Sequence, residues 1–515
     1  MAGALAGLRV IEWAEGIAGP YCGRLLADSG ADVIKVEPPE GDVTRRSGPF
    51  PGDKPHPERS ALFANLNTSK RSVTLNPRDP AGRDALDRLI AAADILIEDR
   101  PAGLLERAGF TAREILARYP RLVVVSITPY GRSGPASGSP GADLVTFMVS
   151  GLGHITPQGV KNPEHEPPLR LPGYQSEFVA GMTAAAGALH GLFLRDSGAG
   201  GQHVDVAAQE ALASFAFMLV GATAFMKRET PRQAPSNAYS QWINSLFRCA
   251  DGYVSAVMME EHQWKAWVEV LGSPEWAADP RFASGLSRNQ HWADLKPLIE
   301  AWTTQQTKAD VASHAQSRRV PVLPVNTIAD VWASEQLNAR GFFVTVDQPE
   351  LGAIRLPGHA FRMSRTPWAM RPAPRLGEHN AEVLGSVAPD LTPPPLGPDV
   401  PALRRGEGEH APSPTPDTRH STPSSGPLAG LRVADFSWVF AGPICTRNLA
   451  ALGAEVIRIE SHRRIDSHRL SGFRDAEGRP RINASPYFYL VNYNKRSVSL
   501  DISKPEGLAL AKEIV

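Results

Sequence analysis

The sequence predicts an α/β protein with an open, doubly wound parallel sheet and a smaller α+β domain. Apolar strand-like runs alternate with helical segments through residues 8–128, an order typical of parallel sheets. A segment near the N-terminus recurs without gaps after residue 427, which indicates a repeated unit. Between these copies, residues 251–325 mix helix with short strands and contain several tryptophans, a pattern that predicts the smaller domain.

The repeated segment is LAGLRVIEWAEGIAGPYCGRLLADSGADVIKVE, residues 5–37, which returns as LAGLRVADFSWVFAGPICTRNLAALGAEVIRIE, residues 428–460. Both ends match at the same offset, 423 residues, so no gap interrupts the match. Each copy has the pattern of a strand, a turn with Ala-Gly-Pro, a helix and a second strand. The proline suits the first helical turn, because its missing N–H costs nothing there.

The next elements continue the alternation. Residues 67–75 end in strand-like alternation and recur at 492–500, where the offset has grown to 425. Loop drift between fixed elements is expected of a duplicated fold. The remaining predicted elements are helices at 83–92, 104–108 and 112–119 and buried strands at 95–98 and 122–128.

Two apolar helices are predicted on either side of a short strand. Residues 178–194 are rich in Ala and Gly, which allows close approach of another helix or of a ligand. A tight turn at 201–206 leads into the strand, and the charge-free run 211–226 follows. This run is too short to span a bilayer, so we interpret it as a buried helix.

Five regions are predicted along the chain. Residues 386–427 carry 11 prolines in 42 positions and are predicted to be an extended linker. The second copy begins directly after it, and a complete copy would carry a chain to roughly 800 residues, so we expect the sequence to continue beyond Val515. The predicted regions are a large domain (1–225), a small domain (226–330), a return to the large domain (331–385), the linker (386–427) and an incomplete second copy (428–515).

Composition favours small-molecule chemistry. Lys plus Arg equals Asp plus Glu at 54 each, which argues against a nucleic-acid or membrane partner. The three cysteines have no disulfide or metal spacing, and Cys22 and Cys445 occupy equivalent positions as predicted buried thiols. No signal for export is recognisable at the N-terminus, so the predicted location is the cytoplasm.

Generic catalytic motifs do not account for the chain. It has no GxGxxG, Walker loop, GxSxG or paired CxxC, so nicotinamide, ATP-loop and hydrolase chemistry lack their usual basis. Its histidines have no metal-ligand spacing, and no metal is predicted.

A set of dispersed segments is more informative. These are AGPYCGRLLADSGADVIKVE, NTSKRSV, DILIEDRPAGLLERAGF, YPRLVVVSITPYGRSGP, DLVTFMVSG, GGQHVDVAAQEAL, LGSPEWAADPRF, ARGFF and LGEHNAEVL. In this order they resemble the class III coenzyme A transferases, also called the CaiB/BaiF or formyl-CoA transferase family. The resemblance covers residues 5–384 and restarts at residue 428.

The resemblance implies transfer of CoA between an acyl-CoA and a carboxylic acid, on an open α/β fold whose two chains thread through each other. It implies an aspartate that attacks the thioester, giving a mixed anhydride and then an enzyme–CoA thioester. The family's nucleophile lies 25 residues before the Gln of the GGQ turn, and Glu177 stands there. Gly181 supports the same register. The extra methylene of Glu177 moves the carboxylate by over an ångström, and about 1 Å of misplacement can cost roughly 10²-fold in rate.

The resemblance also places a CoA pocket. Its departures from the family are Pro38, where a basic residue is common, and an isoleucine in place of a polar residue at position 17. An arginine is apt for phosphate, because its guanidinium forks onto phosphate oxygens. The implied CoA-binding residues are Ile17, Ala18, Leu75, Arg78, Asp99, Arg100, Arg107 and Asp143.

Three functions remain open. In related racemases the position of Asp143 holds a proton carrier opposite a histidine, but no histidine lies between His56 and His154, so we expect Asp143 to cap the helix that follows it. Residues 228–245 lack the glycines of the family's closing loop, which predicts a different acyl site. The alternatives are a CoA-transferase, an acyl-CoA racemase, and a non-catalytic CoA-binding half. The expected assembly is a homodimer or an intramolecular pseudo-dimer of the two copies.

Overall fold

The computed structural model describes residues 3–157, 159–227, 229, 232, 243–258, 260–385, 426–470, 473, 475 and 477–515. The chain forms two compact units. The larger unit comprises Met1–Gly153, Arg170–Glu229 and Phe343–Val515, and the smaller comprises His154–Leu169 and Thr230–Phe342. The smaller unit therefore differs from the predicted small domain, because it extends beyond residue 330 and includes a segment from the middle of the predicted large domain.

The larger unit is built on a six-stranded parallel sheet. Its strands run in the order β3-β2-β1-β4-β5-β6, so the chain winds outward from β1 in one direction and then in the other. This order confirms the predicted doubly wound fold. The strands are β1 (Arg9–Trp13), β2 (Asp32–Glu37), β3 (Arg71–Thr74), β4 (Ile95–Glu98), β5 (Val123–Thr128) and β6 (His203–Ala207).

Helices cover both faces of this sheet, which explains why its strands are apolar on both sides. One core joins α1 and α7 to the sheet, and the other lies under α3, α4 and α5. The helices are α1 (Ala18–Asp28), α2 (Ala61–Leu66), α3 (Pro80–Ala91), α4 (Ala102–Ala108), α5 (Ala112–Arg118), α6 (Asp143–Val149), α7 (Gln175–Leu194), α8 (Ala208–Ala213) and α9 (Phe217–Met226).

The prediction of one buried helix over 211–226 is wrong. A 3-10 turn, Ser214–Ala216, separates α8 from α9, and the two parts are bent by 70°. Phe215, Val220 and Phe225 are each more than half exposed. An apolar run without periodicity does not reveal such a break, because its polarity pattern is the same on every face.

Among the described residues, one helix has the length and hydropathy to cross a membrane: α7 with the π-helical turn after it, Gln175–Ala199. Its small residues pack against α1, β5 and β6 in the first core. One face of this helix therefore belongs to the core, whereas its Met182, Leu189 and Phe193 are exposed.

The smaller unit surrounds a three-stranded antiparallel sheet, β7 (Ile243–Cys249), β8 (Gly252–Met258) and β9 (Val322–Pro324). Trp267 is fully buried in its core beside Phe247, as the tryptophan-rich sequence suggested. Its helices are α10 (Glu261–Val270), α11 (Gly285–Gln290), α12 (Trp292–Thr303), α13 (Lys308–Ser317), α14 (Ile328–Ala333) and α15 (Glu335–Ala339).

The chain then returns to the larger unit. A hairpin of β10 (Phe343–Gln348) and β11 (Gly352–Pro357) is followed by α16 (Asn380–Leu384). The amide of Asn380 is joined to Thr74, so this return is anchored at the β3 edge of the sheet. Of the predicted linker, only residues 426 and 427 lie within the described part of the chain.

Residues 428–515 form a second, three-stranded parallel sheet whose register matches the first. Arg432 pairs with Glu455 as Arg9 pairs with Asp32, at the sequence offset of 423. Its elements are β12 (Arg432–Asp435), α17 (Ala441–Ala451), β13 (Glu455–Glu460), α18 (Ser467–Leu470), α19 (Pro486–Asn492), β14 (Arg496–Ser499) and α20 (Pro505–Ile514).

The two equivalent cysteines differ. Cys22 is buried, and burial, reinforced by the nearby Glu12 carboxylate, raises the pKa of its thiol. Cys445 is exposed, so the prediction of a buried thiol there is wrong. The physical reason is that α7 completes the core around Cys22, whereas the described residues of 426–515 contain no helix equivalent to α7.

Candidate active site

The reversal of strand order between β1 and β4 places several predicted ligand-binding residues at one edge of the sheet. Ile17 and Ala18, which are 8% and 6% exposed, begin α1 after the short turn that follows β1, and Asp99 and Arg100 directly follow β4. Ligands of open α/β sheets bind at such a switch point, outside the carboxyl ends of the strands. The predicted CoA residues at these two strand ends therefore share a location suited to a ligand.

An ion-pair network connects the two strand ends. Arg100 pairs with Asp99 and, at 2.7 Å, with Glu15, while the Glu15 backbone N–H donates to Asp99 at 3.0 Å. Burial lowers the pKa of Arg100, but Asp99 and Glu15 outweigh it and the pKa is raised. The guanidinium is thus permanently charged beside the turn that precedes α1. Its charge is already paired with the carboxylates of Asp99 and Glu15.

The other predicted CoA residues are more dispersed. Leu75 belongs to the core under α3 and is 1% exposed as a whole residue, and its backbone N–H donates to the carbonyl of Glu37. Arg78 and Arg107 are exposed, the first after β3 and the second in the last turn of α4. The structure therefore groups Ile17, Ala18, Asp99 and Arg100, and leaves two arginines on the surrounding surface.

Glu177 lies in the first turn of α7 and is half-buried. One turn later, a Cβ on Gly181 would stand 2.6 Å from the carbonyl oxygen of Ala18, so the absence of a side chain allows the backbones of α7 and α1 to approach. Tyr21 and Phe178 also meet edge to face, with centroids 4.8 Å apart. The turn that carries Glu177 is therefore packed on the first turn of α1.

Asp143 does not cap the helix that follows it, contrary to the prediction. It is the first residue of α6, and its carboxylate accepts from the backbone N–H of Ser176 at 3.0 Å and from the Ser176 hydroxyl at 2.6 Å. Its second oxygen pairs with Arg170 at 2.6 Å. Asp143 thus caps α7 beside Glu177, because tertiary packing brings the starts of α6 and α7 together.

A buried charge cluster was not predicted as part of the site. It consists of Glu12, Lys35, Asp42 and Lys70, each at most 4% exposed. Lys35 lies 3.0 Å from Glu12 and 2.7 Å from Asp42, and Lys70 lies 2.7 Å from Glu12. A charge inside an otherwise apolar strand, as in VIKVE, was the available signal in the sequence.

A second missed pair lies on the other face of the same edge. Glu98, at the end of β4, is 1% exposed and accepts hydrogen bonds from the guanidinium of Arg132 at 2.5 and 2.7 Å. The backbone N–H of Arg132 donates to Asp205 at 2.8 Å.

The described residues hold no group of three or more His, Cys, Asp or Glu side chains suited to a metal. The glycine-free segment 228–245 lies largely outside the described residues.

Comparisons of the sequence with known proteins found a family and several relatives. The sequence profile of CoA-transferase family III matches residues 5–380 and again residues 428–515. The chain is 30% identical over 390 residues to the succinyl-CoA–L-malate CoA-transferase beta subunit of Chloroflexus aurantiacus, covering 74% of this chain and 94% of that one. It is 32% identical over 402 residues to the formyl-CoA:oxalate CoA-transferase of Streptomyces avermitilis, covering 74% and 95%.

A solved structure has the same fold. A CAIB/BAIF family protein from Brucella suis superimposes with a TM-score of 0.65 at 30% sequence identity. The match covers 75% of this chain and all of that one.

Proposed function

The chain belongs to CoA-transferase family III and is a CoA-transferase; on that premise, we propose that it uses Glu177 as a covalent carboxylate and the switch-point edge as its CoA site. Ile17, Ala18, Asp99 and Arg100 form the centre of the proposed CoA site, with Arg78 and Arg107 toward its phosphates. Succinyl-CoA is the first donor to test, because several relatives are named for it.

The proposed reaction begins when a Glu177 carboxylate oxygen attacks the acyl carbon of the donor thioester. The carbon–sulfur bond breaks, which leaves an acyl–glutamyl anhydride and the CoA thiolate. The thiolate then attacks the glutamyl carbonyl, releases the donor acid and forms a glutamyl–CoA thioester. The acceptor carboxylate then attacks the glutamyl carbonyl of this thioester, which breaks the carbon–sulfur bond, releases the CoA thiolate and forms a second anhydride between Glu177 and the acceptor. The thiolate finally attacks the acceptor's acyl carbon in this anhydride, and the bond from that carbon to the Glu177 oxygen breaks. The products are the new acyl-CoA and a free Glu177 carboxylate.

The observation that carries this proposal is the close approach of Gly181 to Ala18. It holds the turn with Glu177 on the first turn of α1, so a thioester bound at the start of α1 lies within one helical turn of a carboxylate. Asp143 holds the start of α7, because its carboxylate accepts a hydrogen bond from the Ser176 backbone N–H. Covalent transfer requires a carboxylate held in a fixed position, and the packing of this turn supports Glu177 in that role.

A second candidate function, for the first copy alone, is that of a CoA-binding half without chemistry of its own. Two observations favour it: a glutamate stands where the family has aspartate, and residues 428–515 repeat the family match and the register of the first sheet. We propose that these residues begin a second copy of the fold. A racemase is less favoured, because the Asp143 carboxylate is buried and engaged by Ser176 and Arg170.

From the same repeat we propose that the chain forms an intramolecular pseudo-dimer. Leu490 on α19 lies against Gly221 on α9, where a Cβ would come within 2.2 Å of the leucine side chain. The second segment thus packs on an apolar helix of the first. A sedimentation mass of one chain is expected, whereas a mass of two chains would favour the homodimer.

Trapping tests the chemistry. After incubation with succinyl-CoA and an acceptor acid, hydroxylamine converts a glutamyl–CoA thioester into a hydroxamate, which mass spectrometry locates. We expect the label on Glu177 and its loss in Glu177→Gln. CoA binding without any label at Glu177 would support the non-catalytic alternative and reject the proposed nucleophile.

Calorimetry tests the CoA site independently of chemistry. Arg107→Ala should weaken CoA binding, since it removes a positive charge proposed to meet phosphate. Arg113→Ala is the matched control, because it removes another exposed arginine from the next helix. Equal affinities for the two variants would contradict the proposed phosphate position.

A further inference from the structure

We infer that Lys70, Lys35 and Asp42 are positioning residues that hold the turn between β1 and α1 in the shape that binds CoA. The inference rests on the proposed function, because it assigns a role to residues next to the proposed CoA site. None of the three is expected to touch the ligand, since each side chain is buried beneath the turn.

The cluster reaches the backbone of the turn at three points. The Lys35 ammonium donates to the carbonyl of Ala14 at 3.0 Å, and the Gly16 N–H donates to the Asp42 carboxylate at 3.4 Å. The Lys70 ammonium donates to the carbonyl of Pro20 at 2.7 Å. These points bracket Ile17 and Ala18, the predicted contacts of CoA. A shift of the cluster therefore moves the proposed ligand-binding backbone.

Stability alone is a poor reason for such a cluster. Removing charges from water is costly, and well-packed apolar residues often replace a buried ion pair without loss of stability. Buried ionic groups are better suited to fixing a unique geometry, which is the role assigned here. Asp42 is itself fixed, because it accepts from the backbone N–H and hydroxyl of Thr44 at 2.7 and 2.6 Å.

The second segment provides an independent case. Lys495, equivalent to Lys70, donates to the carbonyl of Pro443 at 2.8 Å, and the Val439 N–H donates to Asp466 at 3.4 Å. These are the counterparts of the Pro20 and Gly16 contacts. Both segments therefore have the lysine bond to the proline carbonyl and the aspartate bond to a backbone N–H of the turn.

The other side chains of the cluster differ between the two segments, and the changes in their lengths compensate for one another. Glu12 is replaced by the shorter Asp435, and Lys35 by the longer Arg458, which lies 3.9 Å from that aspartate. A Cβ on Gly23 would stand 1.8 Å from the Glu12 carboxylate, whereas the equivalent Thr446 donates to Asp435 at 2.7 Å. The internal pairing differs, yet two of the three contacts to the turn have counterparts in the second segment. Such a pattern is expected if the function of the cluster is to hold the turn between β1 and α1 in shape.

CoA affinity of the full chain tests the inference. Lys70→Met removes the ammonium that holds Pro20 and should weaken CoA binding roughly tenfold, because the turn must then be ordered at the expense of binding energy. Lys70→Arg retains a charged donor and should restore most of the affinity. Lys70→Gln, a milder change that is too short to span the same contact, should also weaken binding and serves if Lys70→Met does not fold.

The matched control is Arg24→Met in α1, the helix that follows the turn. Arg24 is also buried and paired with a carboxylate, Asp28, at 3.3 Å, but it reaches Pro357 and Asn65 rather than the turn. Its loss should lower the thermal midpoint and leave CoA affinity unchanged. Parental affinity in Lys70→Met, or equal weakening in Arg24→Met, would overturn the inference. A parent chain that does not bind CoA would instead refute the proposed function.

Discussion

Gly181→Ala is the sharpest test of how the two helices form the site. The added Cβ would stand 2.6 Å from the Ala18 carbonyl oxygen, whereas ordinary contacts begin at 3.4 Å. Because that oxygen belongs to the backbone of α1, it cannot rotate away, and α1 and α7 must separate by about 0.8 Å locally, the difference between these distances. Glu177 lies one turn before Gly181, so its carboxylate and the proposed CoA-binding turn before α1 would move apart.

The expected effects are larger on function than on stability. A displacement approaching 1 Å should lower the rate of CoA transfer by roughly 10- to 100-fold. Overpacking costs about 1–3 kcal/mol, but alanine is favoured over glycine in a helix by about 1 kcal/mol, so the net loss of stability should be about 0–2 kcal/mol. Transfer of CoA from succinyl-CoA, CoA affinity and urea unfolding are measured on the same preparation.

Gly187→Ala is the control on the same helix. Its Cβ would stand 2.7 Å from a methyl carbon of Val204, which is a side chain that can adjust, and it lies further along α7 from Glu177. It should change stability without changing the transfer rate. If Gly181→Ala is as active as the parent, or if both variants lose activity equally, the proposed coupling between α1 and Glu177 is wrong.

Three further predictions concern buried groups. Glu12→Asp and Gly23→Thr should each destabilise the chain. The double variant should recover at least about 1 kcal/mol, because the equivalent pair in the second segment, Asp435 and Thr446, is joined by a hydrogen bond. Additive losses in a double-mutant cycle would contradict this prediction. Burial lowers the pKa of Lys70 more than Glu12 raises it, and with repulsion from Lys35 it falls to about 8, against 10.5 for an unperturbed lysine. Between pH 8 and 10.5 the unfolded chain therefore binds more protons at Lys70 than the folded chain does. The free energy of unfolding should rise over this pH range by at most about 3 kcal/mol on account of Lys70. Urea unfolding of Lys70→Met should lack that rise. Asp143→Ala should cost about 1–3 kcal/mol by leaving the Ser176 N–H without its acceptor, whereas Asp143→Asn, which keeps one, should cost less in the same assay.

The sequence alone determined the features that depend on local pattern. The alternation of strands and helices predicted the parallel sheet, since each strand and helix has its own periodicity of apolar residues. The repeat predicted the second sheet, whose strands 432–435 and 455–460 pair in the register of 9–13 and 32–37. The ordered motifs identified the family, because residues that bind or react tolerate less change than the loops between them.

Only the tertiary structure decided which distant residues meet. Asp143 caps α7 instead of its own helix, Gly181 is placed on Ala18, and Lys70 reaches Pro20 across 50 positions of sequence. Equivalent cysteines also differ, because the neighbour that covers Cys22 comes from α7, far along the chain. Such contacts depend on the packing of whole elements against one another, and local sequence patterns describe each element without its neighbours.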